Sequence, residues 1–223
     1  MAMPKNMGLR QRPRYQRELR MTTSRARKEK WILASASPRR REILSSLGLR
    51  FRVEPSRVAE PECAHGQEPW RCVMRLSRAK ALAVGRRHHC GIVIGADTVV
   101  YSRGLILGKP SDEEDARAML RRLSGRWHEV ITGLCLYDCS SGRVVSAHSR
   151  SRVHFRRLES ADVNWYLSTR EYLDKAGAYA IQGYASLFVD RIEGCYFNIV
   201  GFPVSTFHTL CRRLNLPLRN ALS

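Results

Sequence analysis

The chain has 223 residues, of which 43% are hydrophobic, and its formal net charge is +19. This length and composition suffice for one large domain or two small lobes. No segment approaches the roughly 18 to 20 apolar residues that cross a bilayer, and no apolar run with a small-residue cleavage site follows the basic start. We therefore expect a cytoplasmic protein without a membrane partner.

The positive charge is unevenly distributed. Residues 1–30 contain ten Lys and Arg against two Glu, a net charge of +8, so the remaining residues carry +11. Because this first segment lacks apolar periodicity, we expect residues 1–28 to form a basic, disordered extension. It is either an arm that neutralises nucleic-acid or membrane phosphates, or a segment that is not translated, with Met21 as the start.

The seven cysteines are an odd number and contain no CxxC pair. Their scatter argues against a disulfide framework or a structural zinc site and predicts reduced thiols. Two combinations stay open as metal ligands, Cys135 and Cys139 with His148, and the run 88–90, although neither has the spacing of a four-ligand set.

Past the basic segment, apolar periodicity predicts alternating strands and helices without internal repeats. In chain order these are a strand at Trp31–Ser35, a helix at Pro38–Leu47, a strand at Phe51–Val53, a helix at Glu68–Val84, strand segments at Ile92–Ile94 and Val99–Tyr101, a helix at Asp112–Leu123, strands at Val130–Tyr137 and Arg143–Phe155, a helix at Ser160–Leu167, a strand at Ser186–Asp190 and a helix at Val204–Leu214. The predicted class is mixed α/β.

A cluster of arginines at a predicted helix start indicates an anion site. In residues 35–42, Ser37 is a candidate N-cap, Pro38 suits the first helical position, and three arginines follow. Unpaired N–H groups and guanidinium forks bind phosphate together. The alternative is a surface helix whose first turn is merely basic.

A carboxylate follows the apolar strand segment 92–94 within the run 95–98. Strand ends in α/β folds open onto clefts, so we predict that Asp97 lies at such an end. There it could hold a divalent cation or accept a proton from attacking water. The alternative is a turn aspartate.

Lys80 lies on the apolar stripe of the predicted helix, beside Val73, Leu76, Ala79 and Ala83. Burial of an unpaired ammonium is costly, so Lys80 needs an anionic partner unless it extends to solvent. Two other segments carry candidate polar groups, 108–110 after a short hairpin and 174–183.

Seven motifs together carry a specific resemblance. They are LASASPRRREIL at 33–44, RLSRAKA at 75–81, IGADTVV at 94–100, GKP at 108–110, ML-x2-LSG-x2-H-x-V-x-TG at 119–133, DKAGAYAIQG at 174–183 and N-x-VG-x-P at 198–203. In this order and spacing the chain resembles the Maf family of nucleoside triphosphate pyrophosphatases.

The resemblance implies hydrolysis of a nucleoside triphosphate between the α- and β-phosphates, with a divalent metal cation, Mg²⁺ or Mn²⁺. It implies an α/β fold with a mixed elongated sheet, flanking helices and two lobes around a central cleft, and a possible homodimer. One domain would span residues 29–216, followed by a tail at 217–223.

The resemblance also implies roles for individual residues. Asp97 would be the proton acceptor and a metal ligand, with Glu60 as a second acidic ligand. Lys80 and Lys109 would neutralise the phosphates. Ser35 and Arg40 would bind the triphosphate at the helix start.

Three further positions, Arg39, Thr98 and Gln182, resemble the branch that acts on dTTP and UTP. The sister branch that prefers 7-methyl-GTP tends to carry glutamine after the aspartate, where this chain has threonine. The Gln182 amide offers a donor and an acceptor that could pair with a uracil or thymine edge, or contact ribose.

Two alternatives come from other classes. A nucleic-acid-binding module would act through the basic arm and would lose binding steeply with salt. A regulator of cell division is the second, because the family name is linked to septum formation. Neither accounts for carboxylate, lysine and glutamine motifs in one register, so we expect nucleoside triphosphate as the partner and nucleic acid only through the arm.

Overall fold

The computed structural model describes residues 30–59 and 67–222. The predicted extension at 1–28 and the predicted ligand Glu60 lie outside the described residues. Within them, no helix combines the length and hydrophobicity needed to cross a membrane.

The described elements form a mixed α/β fold, as predicted. The strands are β1 Trp31–Leu33, β2 Phe51–Val53, β3 Ile92–Ser102, β4 Leu105–Leu107, β5 Trp127–Asp138, β6 Val144–Phe155 and β7 Val189–Glu193. The helices are α1 Pro38–Ser46, α2 Pro69–Gly85, α3 Glu113–Leu123, α4 Ser160–Ser168, α5 Tyr196–Val200, α6 Val204–Arg213 and α7 Leu218–Ala221, with 3₁₀ turns at Ala176–Ala178 and Tyr184–Phe188.

The strands make one seven-stranded mixed sheet in the order β2-β1-β3-β5-β6-β7, with β4 also paired to β3. Strand β1 is parallel to β2 and to β3. The other four pairs, β3–β4, β3–β5, β5–β6 and β6–β7, are antiparallel. This confirms the predicted mixed sheet with flanking helices.

Strand β3 is longer than the sequence pattern indicates. The two predicted segments are one continuous strand, because β5 pairs with it from Ile92 to Tyr101. The prediction that Asp97 lies at a strand end is therefore wrong, since Asp97 is in the middle of β3 and opposite Gly133.

Both faces of the sheet are covered. The larger core lies on the face that includes Ile94, Ala96 and Val100. Helix α2 covers the other face, where Ala81 and Val84 join smaller clusters with β1, β3 and β5. Because neighbouring residues of a strand point to opposite faces, each strand of the centre serves both layers.

The backbone of α2 lies unusually close to the sheet at two strand glycines. A Cβ atom built on Gly95 would be 2.1 Å from the Ser77 carbonyl oxygen, and one on Gly133 would be 2.4 Å from the Val73 carbonyl oxygen. Any side chain at these positions would displace the helix. The two glycines therefore set the distance from α2 to β3 and β5.

Several local predictions differ from the structure. The helix predicted from Asp112 begins at Glu113, because Asp112 is the N-cap of α3 and its side chain accepts from the Asp115 N–H. In the predicted strand at 186–190, residues 186–188 belong to a 3₁₀ turn, and β7 begins only at Val189. Cys72 is disulfide-bonded, so the prediction of reduced thiols is wrong there.

The packing of α2 predicts a stability loss for Gly95→Ala. The added methyl group must push against backbone atoms of Ser77 and Ala81, and such overpacking costs about 1–3 kcal/mol. The measurement is the free energy of unfolding in urea. Gly108→Ala is the matched control, because nothing lies within 4 Å of its new Cβ. Equal stability of the two variants would contradict this account.

Candidate active site

A gap in one edge of β3 frames the site. Strand β1 pairs with β3 only as far as Ile94, and β4 pairs with it only from Val100 onward. Strand β5 occupies the other edge along this whole length. Among the described residues, no strand pairs with 95–99 on the first edge, so this stretch is available to side chains and to a ligand.

Asp97 lies within this gap and forms an ion pair with Lys80 of α2. The Lys80 Nζ atom is 2.7 Å from Asp97 Oδ1, and the two side chains are only 7% and 9% exposed. Lys80 therefore has the anionic partner that its place on an apolar helix face led us to expect. A carboxylate held this way is fixed in position by a cation on one side of the sheet.

The approach of α2 explains how a lysine comes to be buried there. Ser77 and Ala81 contact the Gly95 backbone, and Lys80 lies between them on the same buried face. The predicted stripe included Ala79 and Ala83, but both are only partly buried. The face is thus rotated toward 77, 81 and 84 relative to the prediction.

Arg40 connects the start of α1 to β3 and to the turn after α5. It is 9% exposed. Its Nη1 donates to Ser35 Oγ at 2.9 Å and to the Ala96 carbonyl at 3.1 Å. Its Nε donates to the Gly201 carbonyl at 3.0 Å, and its Nη2 donates to Thr98 Oγ1 at 3.0 Å. The guanidinium is therefore held rigidly at the edge of the gap.

The start of α1 differs in detail from the prediction. Pro38 is the first helical residue and Ser37 occupies the N-cap position, as predicted, but the Ser37 side chain makes no capping bond. The Ser35 hydroxyl instead accepts from the Ser37 N–H at 3.3 Å. Ser35 thus joins the loop to the Arg40 guanidinium.

Asp97 and Thr98 point to opposite faces of the sheet. Asp97 meets α2, whereas Thr98 meets Arg40 of α1. The two residues are adjacent in a strand, so this separation follows from strand geometry. Within the gap, the Thr98 side chain therefore contacts Arg40 and not Lys80 or Asp97.

Further cations gather near the gap. Lys109 follows β4 and its Nζ is 3.6 Å from Asp174 Oδ1, with both side chains well exposed. Burial lowers the pKa of Arg39, while Glu42 and Glu171 raise it. Burial also lowers the pKa of Lys175, and the charges of Arg39 and Lys109 lower it further.

Lys175 is within electrostatic reach of both Arg39 and Lys109, so three segments distant in the chain lie close together. Lys175 was inside a quoted motif but was not predicted as a site residue. The sequence does show that Lys175 directly follows Asp174. The structure adds that Asp174 pairs with Lys109, which brings the two lysines to the same place.

The segment that carries Gln182 is fixed by a carboxylate. Glu171 accepts hydrogen bonds from the N–H groups of Tyr184 and Ala185 at 2.9 and 3.2 Å. Gly183 has φ 97°, a conformation that favours glycine, and its backbone approaches the same carboxylate. The Gln182 side chain is exposed next to this anchored turn.

The metal donors form no dense cluster in the described part of the chain. Residues 30–59 and 67–222 contain no group of three or more His, Cys, Asp or Glu side chains able to hold an ion. The other predicted ligand, Glu60, falls outside these ranges.

The ion pair predicts a large stability loss for Lys80→Met. Removal of the ammonium leaves the Asp97 carboxylate buried without that cation, which costs about 3–5 kcal/mol. The double variant Lys80→Met/Asp97→Leu should recover most of this loss, because a buried pair can be replaced by apolar groups of similar volume. Urea unfolding measures both.

Lys109→Met is the control, because its side chain is 58% exposed and its loss should cost less than about 1 kcal/mol. A Lys80→Met variant no less stable than Lys109→Met would contradict the expected cost of leaving the buried Asp97 carboxylate without the ammonium.

Comparison of the chain with known proteins identifies its family. The family described as Maf-like protein matches residues 30–214. A dTTP/UTP pyrophosphatase from Syntrophomonas wolfei is 44% identical over 189 residues, covering 84% of this chain and 100% of that protein. A dTTP/UTP pyrophosphatase from Clostridioides difficile is 48% identical over 182 residues, covering 82% of this chain and 93% of that protein.

A solved structure of a nucleoside-triphosphatase, a dITP/XTP pyrophosphatase from Mycobacterium abscessus, covers 82% of this chain and 94% of that chain at 13% identity, with a TM-score of 0.39. That likeness is too weak to support a conclusion about function. The match over residues 30–214 and the identity to full-length relatives are decisive, and the chain belongs to the Maf family.

Proposed function

We propose that this protein hydrolyses dTTP and UTP to the nucleoside monophosphate and pyrophosphate. The observation that carries the proposal is the buried Lys80–Asp97 pair in the open edge of β3, with Arg39, Arg40 and Lys109 on nearby elements. Relatives named as dTTP/UTP pyrophosphatases span nearly the whole described chain.

In the proposed reaction, a water oxygen bonds to the α-phosphorus. The bond from that phosphorus to the oxygen bridging to the β-phosphorus breaks, and pyrophosphate leaves with the bridging oxygen. We assign Asp97 as the acceptor of the water proton. Its bond to Lys80 at 2.7 Å supports this role, because the ammonium orients the carboxylate and disfavours its rotation.

Phosphoanhydride cleavage depends mainly on positioning and on charge neutralisation. We assign this work to Lys80, Lys109 and Arg39. Burial penalises the charged form of Arg39 and lowers its pKa. The negative charge of a triphosphate would favour that charged form.

We place Ser35 and Arg40 at the triphosphate end of the site. Arg40 already donates four hydrogen bonds to protein atoms, so its orientation is set before substrate arrives. Preorganised donors cost no reorganisation during the reaction. Ser35 belongs to the same unit through its bond to Arg40.

A divalent metal, Mg²⁺ or Mn²⁺, is part of the proposal, with Asp97 and Glu60 as its protein ligands. The described donor set fits an ion shared with the substrate, since Mg²⁺ is usually bound by one or two carboxylates together with substrate phosphates and water. When bound, the ion neutralises charge on the phosphate oxygens.

We infer the pyrimidine preference from Arg39, Thr98 and Gln182. Gln182 is exposed beside a turn that Glu171 anchors, so its amide has a fixed base from which to reach a uracil or thymine edge. The 7-methyl-GTP preference is the alternative within the family, and the names of the relatives favour dTTP and UTP.

Other features stay predictions. They are a cytoplasmic location, a homodimer, a role of the basic arm, and the division of the chain into an extension at 1–28, one domain at 29–216 and a tail at 217–223. The last segment includes the short helix α7, and Leu222 forms a bridge with Leu49.

Asp97→Asn should reduce pyrophosphate release by about 10²–10⁴-fold, because the amide cannot take the proton. The variant should retain its circular dichroism spectrum. Asp190→Asn, on the strand β7 at the sheet edge, is the control and should retain activity within about twofold. A folded Asp97→Asn variant with near wild-type turnover would remove Asp97 from the mechanism.

A nucleotide panel tests the substrate assignment. Pyrophosphate release is measured with Mg²⁺ or Mn²⁺ on dTTP, UTP, CTP, GTP and 7-methyl-GTP, and a chelator should abolish it. We expect kcat/KM for dTTP and UTP to exceed the other values by at least about tenfold, the discrimination that 1.4 kcal/mol of differential binding provides. A preference for 7-methyl-GTP would keep the reaction and overturn the pyrimidine assignment.

A further inference from the structure

A chain of hydrogen bonds leads from the Arg40 guanidinium into the centre of the sheet. Arg40 Nη2 donates to Thr98 Oγ1 at 3.0 Å. The hydroxyls of Thr98 and Thr132 are 2.9 Å apart, and these residues are directly opposed in the β3–β5 pairing. Thr132 Oγ1 in turn donates to the backbone carbonyl of Asn198 at 3.2 Å. We call these four residues the relay.

The hydrogen bonds of the relay can run in one donor-to-acceptor direction only. A guanidinium has donors and no acceptor, whereas a backbone carbonyl only accepts. Each threonine hydroxyl has one proton. Thr98 therefore accepts from Arg40 and donates to Thr132, whose own proton goes to Asn198. Successive hydrogen bonds of this kind polarise and strengthen one another away from water.

The far end of the relay is anchored firmly. Asn198 is fully buried, and its Nδ2 donates to the Val130 carbonyl at 2.9 Å and to Ser151 Oγ at 3.0 Å. These bonds fix α5 to β5 and β6. The turn after α5 also presents the Gly201 carbonyl to Arg40 Nε. Helix α5 and the turn after it are therefore linked to the guanidinium twice, directly at Gly201 and through the threonine hydroxyls at Asn198.

We propose that Thr132 is a positioning residue, which fixes the rotation of the Arg40 guanidinium by linking it to α5. The inference rests on the proposed function, in which Arg40 binds the triphosphate. Thr132 is fully buried, so it acts through Arg40 and not on the nucleotide. The relay also gives Thr98, which faces away from Asp97, a physical route to the site.

The first test compares Thr132→Val with Thr132→Ser. Valine keeps the shape and removes the hydroxyl, whereas serine keeps the hydroxyl. With dTTP, Thr132→Val should raise KM roughly fivefold, the equivalent of one hydrogen bond, with kcat within about twofold of wild type. Thr132→Ser should restore the wild-type KM. A role in packing alone would lower Tm without this KM change.

Ser102→Ala is the matched control. Ser102 is also in β3 and 2% exposed, and its hydroxyl has no hydrogen-bond partner among the described residues. Loss of that buried hydroxyl should leave KM unchanged. A comparable rise in KM in Ser102→Ala would contradict a specific role for the relay.

Two readouts do not require turnover. One is calorimetric affinity for inorganic triphosphate, which Thr132→Val should weaken roughly fivefold. The other is the hydrogen exchange rate of the Arg40 Nε–H, assigned in the NMR spectrum by its loss in Arg40→Lys. Thr132→Val should raise that rate at least about fivefold, since the guanidinium is held less firmly, and Thr132→Ser should not. If Thr132→Val does not fold, Thr132→Ala replaces it.

The two proposals can fail separately. If the wild-type protein releases no pyrophosphate, the proposed function is wrong. If Thr132→Val still changes the triphosphate affinity and the Arg40 Nε–H exchange rate, the positioning role of Thr132 is nevertheless supported. If the wild-type enzyme is active, a Thr132→Val variant with unchanged KM for dTTP, unchanged triphosphate affinity and an unchanged Arg40 Nε–H exchange rate would overturn the role of Thr132.

Discussion

The contact of the α2 backbone with two strand glycines determines the geometry on which the site depends. At Gly95 and Gly133 the helix lies against the sheet with no intervening side chain. Lys80 is thereby confined between helix and sheet, where the Asp97 carboxylate offsets the cost of burying its ammonium group. A buried ion pair contributes little net stability. We therefore infer that its presence in the gap of β3 serves the proposed reaction rather than folding.

The two faces of β3 carry different residues of the proposed site. One face carries Asp97 toward α2, and the other carries Thr98 toward α1. The interrupted edge lets Arg40 reach the Ala96 carbonyl between them. A single strand thus coordinates the proposed proton acceptor with the proposed phosphate-binding group.

The sequence predicted the class of fold and most elements because apolar periodicity reports burial directly. It placed Lys80 on an apolar helix face, where the lysine either pairs with an anion or extends to solvent, and the structure pairs it with Asp97. It could not predict that β3 continues through 95–98, because that depends on pairing with β5. Nor could it predict α5 or the relay, since Thr132 and Asn198 are brought together by tertiary contacts across 66 residues.

The most direct test of the account identifies the bond that is cleaved. Phosphorus NMR of dTTP incubated with the wild-type protein and Mg²⁺ distinguishes the products. The account predicts dTMP and pyrophosphate in equal amounts, with no build-up of dTDP. Formation of dTDP with orthophosphate would contradict attack at the α-phosphorus, and unchanged dTTP and UTP would contradict the proposed function itself.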